Sequence, residues 1–287
     1  MFSGDSWNEV ARELKERRSV VIATIVRDSG SVPRTTGARM LVYADQLTLG
    51  TVGGGLFEAL VIRDAMEVLD RGRSETRTYS FNPEGVTPDA FGAVCGGRVD
   101  IFFDVALPPD RLLIVGGGHC GRALAEAASR LDFSIVVADD RAEFSRPEDF
   151  EFPRVESVMH LPADFDGLPQ PDNRTYVALV SKGYVTDEAA LRRVIDTPAA
   201  YIGMIGSRRK RDIVFERLRA DGVPEEAIGR VRSPIGMEIG ADSPQEIAIA
   251  ILAEIIAVKK ASERGRPANQ KGVALEPLSP PRGEGQG

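Results

Sequence analysis

The stretch LLIVGGGHCGRALAEAA, residues 112–128, decides how the rest of the chain is read. Leu112 to Val115 form a short aliphatic run of the kind carried by a strand covered on both faces. Gly116, Gly117 and Gly118 interrupt it, and the alanine-rich run beyond Arg122 has helical composition. Gly116, Gly118 and Gly121 follow G-x-G-x-x-G, a pattern that permits a tight turn, lets an anion approach the helix N-terminus and brings the helix close to the strand. The next apolar run, SIVVAD, ends at Asp139, 23 residues after the first glycine. An acid at that place hydrogen-bonds a ribose hydroxyl and repels a 2′-phosphate, so the pattern points to NAD, FAD or another unphosphorylated dinucleotide rather than NADP. His119 lies inside the turn, where a bound phosphate or cofactor would pass, and is a candidate ligand contact.

Outward from this stretch the strand–helix rhythm continues. TYVALVS (175–181) and YIGMIG (201–206) read as further strands, and helices fit at 187–196, 208–221 and 243–260. The last helix opens on a capping box, with Ser243 as N-cap, Pro244 in the first turn and Glu246 three residues on. Residues 111–260 therefore read as a Rossmann-like, doubly wound parallel sheet, and 261–287, rich in Pro, Gly and charge, as a disordered tail. Residues 1–105 follow another rhythm: a short helix at 9–17, the β-branched run VVIATIV, the strand ARMLVY, and a helix after GTVGGG in which Leu56, Leu60, Ala65, Val68 and Leu69 recur until Gly72 stops it. With the strands TRTYSF and RVDIFFDV this makes a small α+β domain, joined through the proline-rich linker ALPPD, 106–110. The fold class is α/β.

Composition excludes several functions. The 287 residues are 43% hydrophobic with a net charge of −7, which supplies cores for two domains and no basic face for general nucleic-acid binding. No window approaches the roughly 18 uninterrupted apolar residues of a membrane span, and MFSGDSWNEVARELKERR carries charges where a signal peptide needs an apolar centre, so the expected location is cytoplasmic. Cys95 and Cys120 are too far apart for a CxxC redox pair or half a zinc site.

Catalytic signatures are thin. Neither His119 nor His160 has a Ser, Cys or carboxylate at triad or metal-ligand spacing; no catalytic residue is assigned, and His160 reads as structural. Three stretches suggest anion handling instead. SVPRTTG places Arg34 beside a proline-stiffened turn. GTVGGG offers the amides of Gly53, Gly54 and Gly55 ahead of a helix, with Glu58 in its first turn. GSRRKR pairs the N-cap Ser207 with Arg208 and its basic neighbours, cations that oppose the helix dipole unless an anion is present. Cys95 stands in the glycine-rich turn AVCGGRVD, where a thiol either approaches a ligand or is buried and inert.

Taken in order, SVPRTTGARMLV, GTVGGGLFE, CGGRVDIFFD, GGGHCGRALA with VADDR, YIGMIGSRRKR and SPIGMEIGADSPQEIAIAILAEII resemble the XdhC/CoxI family, the xanthine dehydrogenase accessory factors, from about residue 19 to 260. The resemblance implies an N-terminal XdhC domain followed by a Rossmann domain. It also implies a maturation factor that binds molybdenum cofactor (molybdopterin), promotes its sulfuration with a cysteine desulfurase and inserts it into a xanthine dehydrogenase-type apo-enzyme. On that reading the terminal phosphate suits the glycine amides and Arg34, and Cys95 is the candidate contact to the metal. A homodimer is expected. The chain departs from the family where a Gly-His pair commonly follows the strand VALV: here it reads SKGYVTD, with Lys182, Tyr184 and Asp187, and Tyr184 supplies no imidazole. The competing readings are an NAD(P)-dependent oxidoreductase acting on a small, pterin-like substrate and a nucleotide-sensing regulator.

Overall fold

The computed structural model describes residues 4–81, 90–91 and 97–263. Cys95 and residues 264–287, most of the expected tail, lie outside the described residues. The chain divides into two compact units, Met1–Pro109 and Asp110–Gly287.

Unit 1 runs α1 (Gly4–Lys15), β1 (Val20–Ser29), β2 (Arg39–Tyr43), β3 (Thr48–Gly50), α2 (Gly55–Arg71), β4 (Glu75–Phe81), β5 (Ala90–Phe91) and β6 (Arg98–Ala106). Its sheet has the order β3-β2-β1-β6-β4-β5, antiparallel except for the β4–β5 pair. β1 is apolar at successive positions because both of its faces are covered, and the strand period of two sorts its side chains between them. Val21, Ala23 and Ile25 join Phe57, Val61, Ala65 and Val68 of α2, while Val20 and Ile22 meet Val10 of α1. Gly72 ends α2 in the left-handed region, at φ 62°, as its sequence position predicts.

Unit 2 comprises β7 (Asp110–Val115), α3 (His119–Ala128), β8 (Phe133–Asp139), β9 (Val155–His160), β10 (Thr175–Leu179), α4 (Tyr184–Val194), β11 (Tyr201–Met204), α5 (Arg208–Ala220), α6 (Glu225–Gly229), β12 (Val231–Arg232) and α7 (Pro244–Glu263). Two short 3-10 turns, Ala142–Phe144 and Pro147–Phe150, lie between β8 and β9. All six strands are parallel in the order β12-β11-β10-β7-β8-β9, the doubly wound order in which chain direction switches between β7 and β10. β8 and β10 are buried at every position, since helices or loops cover both faces. α3 and α7 close one side of the sheet, and α4 and α5 the other. The capping box forms as expected: Ser243 N–H donates to Glu246 Oε2 at 2.8 Å and Glu246 N–H to Ser243 Oγ at 3.3 Å.

The structure corrects the sequence reading of this unit in three places. The sheet has six strands rather than the four legible runs: β9, VESVMH, is only partly buried and carries Glu156, and β12 is two residues long. α4 begins at Tyr184, ahead of the expected 187. α7 continues to Glu263, past the expected start of the tail.

Candidate functional site

Parallel strands send their carboxyl ends, and the N-termini of the helices that follow, to one edge of the sheet, where ligands of open α/β folds bind. The glycine turn occupies the switch point of that edge. Gly116 adopts φ 112°, and a Cβ there would lie 2.7 Å from Ser181 N, so the turn after β7 is pressed against the chain leaving β10. A Cβ on Gly121 would overlap the Gly116 carbonyl oxygen, and one on Gly117 would overlap the Phe144 carbonyl oxygen. Gly118, the N-cap of α3, has nothing within 4 Å of the same position. Three glycines are thus demanded by packing, and the fourth opens onto free space.

Asp139, placed by sequence as the ribose acid, is 1% exposed. Its Oδ2 accepts from Gly117 N–H at 2.8 Å and Arg141 Nη2 at 3.0 Å, and its Oδ1 from Arg141 N at 2.9 Å and Arg141 Nε at 3.0 Å. The Arg141 guanidinium lies 4.1 Å from the centre of the Phe144 ring. Burial and the neighbouring Asp139 charge push the Asp140 carboxyl upward. His119 and Arg122 are exposed, and neither side chain has a partner among the described residues. Cys120 is half-buried, and burial raises its thiol pKa, which disfavours the reactive thiolate.

A second cluster joins the ends of β10 and β11. Asp187, fully buried, accepts from Ser181 Oγ at 2.5 Å, Ser181 N–H at 3.1 Å and Lys210 Nζ at 2.5 Å. Burial drives its carboxyl pKa up, against the pull of Lys210 and Ser181. Lys210 also donates its backbone N–H to Ser207 Oγ at 3.3 Å, so the N-cap read from sequence is formed. Arg208 and Arg209 are exposed and, among the described residues, their side chains have no partner; Lys182 is likewise exposed and unpaired. Tyr184, where the family histidine was expected, is stacked with Arg217, 5.1 Å from the guanidinium to the ring centre. Sequence reasoning missed Ser181, Lys210 and Arg141. Only the position of Arg141, directly after two aspartates, hinted at pairing.

In unit 1 the structure brings three motifs together. A Cβ on Gly53 would lie 2.8 Å from Pro33 Cβ, and one on Gly97 would overlap the Ser31 carbonyl oxygen, so the loops at 31–37, 50–55 and 97 share one end of the sheet. Asp28 holds the first loop by accepting from Thr36 Oγ1 at 2.5 Å and from Thr36 N–H at 2.7 Å, and these two hydrogen bonds, the hydroxyl's foremost, keep its carboxyl below the usual range. Arg34, on this loop, is exposed and unpartnered among the described residues. The glycine amides are less open than the sequence suggests. Glu58 Oε2 accepts from Val52 N–H at 3.3 Å, Gly54 N–H at 3.1 Å and Thr51 Oγ1, while Gly53 N–H donates to Thr51 Oγ1 at 3.1 Å. Glu58 therefore fills the amide nest as an internal anion, and the expectation of unobstructed amides is corrected. Glu58→Ala is expected to lower the stability of unit 1 by about 1–2 kcal/mol, the cost of leaving the Val52 and Gly54 N–H groups without their acceptor. Urea unfolding followed by the fluorescence of Trp7, the single tryptophan, checks this; an unchanged midpoint would show that the nest holds without its carboxylate.

Among the described residues no helix is long and apolar enough to cross a membrane. Family comparison matches residues 112–255 to the XdhC Rossmann domain and residues 13–80 to the XdhC and CoxI family. The chain is 36% identical over 276 residues to the uncharacterized protein YqeB of Escherichia coli, a match that covers 94% of this chain and 49% of YqeB, so the chain spans about half the length of that relative. It is 21% identical to the molybdenum cofactor insertion chaperone PaoD of Escherichia coli, covering 86% of this chain and 85% of PaoD. It is also 21% identical to a probable xanthine dehydrogenase subunit from Bacillus subtilis, covering 86% of this chain and 95% of that protein. With both family domains matched in order, and a parallel six-stranded sheet where the second requires it, the chain belongs to the XdhC and CoxI family.

Proposed function

We propose that this protein is a maturation factor that binds molybdenum cofactor, supports its sulfuration in concert with a cysteine desulfurase and delivers it to a xanthine dehydrogenase-type apo-enzyme, acting as a homodimer. One observation carries the reading: the cations Arg122, Lys182, Arg208 and Arg209 and the imidazole of His119, exposed and without side-chain partners among the described residues, lie on the glycine turn and at the starts of the helices that follow parallel strands, and Gly118 in that turn is open. Cations at a helix N-terminus oppose its dipole, and a bound phosphate offsets that cost. The residues present therefore fit a phosphate-bearing pterin. In unit 1, Arg34 and Cys95 are the candidate contacts to such a ligand, with Cys95 offered to the metal. An NAD(P)-dependent oxidoreductase draws on the same glycine turn, but the engagement of Asp139 favours the pterin reading.

Anaerobic titration of the full chain with molybdenum cofactor, followed by transfer to cofactor-free xanthine dehydrogenase, tests the proposal. Saturable binding and restored oxidase activity are expected, and no binding would reject it. Replacing Arg208 and Arg209 together with alanine is expected to raise the Kd about ten-fold, or ~1.4 kcal/mol. An unchanged Kd would remove these arginines from the site.

A further inference from the structure

We propose that Asp139, Arg141 and Phe144 form an internal clamp that takes the place of an adenosine ribose, so that this Rossmann unit rejects adenine dinucleotides despite its glycine pattern. The inference rests on the glycine turn being a ligand loop, as proposed above, and not on the ligand being a pterin.

In a dinucleotide site the acid ending the second strand has free lone pairs aimed at the ribose hydroxyls. Here that acid is Asp139, and each of its oxygens already accepts two hydrogen bonds. A carboxylate has about four acceptor positions, so none remains for a ribose. Three of the four donors come from Arg141, whose side chain grips both oxygens in a fork and lies against the Phe144 ring. The segment that carries them is fixed in turn. Ser145 Oγ donates to the Arg141 carbonyl at 3.0 Å, and the Phe144 carbonyl sits so close to Gly117 that no Cβ fits between them. A ribose could reach Asp139 only by displacing the guanidinium and lifting residues 141–145 from the turn. Gly118, one residue along, stays open. The loop therefore keeps the half of the pattern that meets a phosphate and closes the half that meets adenosine.

Calorimetric titration of the full chain with ADP-ribose and with NAD+ tests this, comparing wild type with Arg141→Ala and Arg141→Lys. Wild type is expected to show no saturation up to about 1 mM, and both variants to bind ADP-ribose at least ten-fold more tightly, because the fork on Asp139 is lost. If Arg141→Ala unfolds, Arg141→Lys carries the test, since it retains the charge and the stem but cannot span both oxygens. Micromolar wild-type binding that Asp139→Asn abolishes would overturn the proposal, as would equal affinities in wild type and the folded variants. No molybdenum cofactor enters the experiment, so failure of the maturation reading would leave its outcome intact.

Discussion

Gly121→Ala is expected to destabilise unit 2 by about 3 kcal/mol, the upper end of the cost of overpacking a well-filled interior. The added methyl would meet the Gly116 carbonyl oxygen, a backbone atom whose own position is held because Gly116 N–H donates to the Ala138 carbonyl at 2.8 Å. α3 would have to lift from β7, disturbing the contacts of Leu124 and Ala125 with the buried sheet face. Gly118→Ala supplies the control: its Cβ enters open space at φ −65°, so the stability change should stay under about 1 kcal/mol, the difference in capping preference. Urea unfolding followed by far-UV circular dichroism reads both variants. Equal losses would show that the close approach of helix and strand is not what the third glycine secures.

The second large effect is expected from Lys210→Met. Removing one partner of a buried pair leaves an uncompensated charge, at a cost of about 3–5 kcal/mol. Asp187 is fully enclosed and the Lys210 side chain is 17% exposed, so little water replaces the ammonium. The sign of the pH dependence follows from the carboxyl. Burial raises its folded pKa above the unfolded value, so the native state binds the proton more tightly, and stability falls as pH rises through the interval between the two values. Without Lys210 one of the groups pulling the pKa down is gone, and that interval extends upward. The penalty of Lys210→Met should therefore be larger at pH 7.5 than at pH 5, because acidification favours the neutral carboxyl that needs no cation beside it. Urea midpoints at the two pH values decide the matter; a penalty that grows on acidification would mean that Asp187 is not the group left stranded.

Much of the architecture was legible because burial leaves a repeating mark on sequence. LLIV and the centres of SIVVAD and TYVAL are apolar at successive positions, as strands covered on both faces must be, and Ser243, Pro244 and Glu246 announce the start of α7 by local chemistry. β9 and β12 escaped because one is partly exposed and the other is two residues long, which leaves too little pattern to separate them from loop. The candidate site was legible as a set of residue types and not as a set of free groups. Asp139 and Glu58 both read as acids available to a ligand or its cradle, yet each already accepts several hydrogen bonds, Asp139 from Arg141 and from Gly117 in the turn after β7, and Glu58 from the loop just before its helix.

By itself the sequence determined the class of this protein: a glycine turn between strand and helix, the rhythm of a parallel sheet and the ordered motifs of one family, all set by propensities and spacings that act over a few residues. Tertiary structure alone decided which groups remain available for binding. Arg141 turns onto Asp139, Glu58 folds back into the nest at Thr51–Gly54, and Lys210 reaches Asp187 from another helix, leaving the cations Arg34, Arg122, Arg208 and Arg209 and the imidazole of His119 without side-chain partners among the described residues. The physical reason is that a hydrogen-bonding group has few lone pairs or protons, and whether they are already used depends on three-dimensional neighbours that no spacing along the chain records.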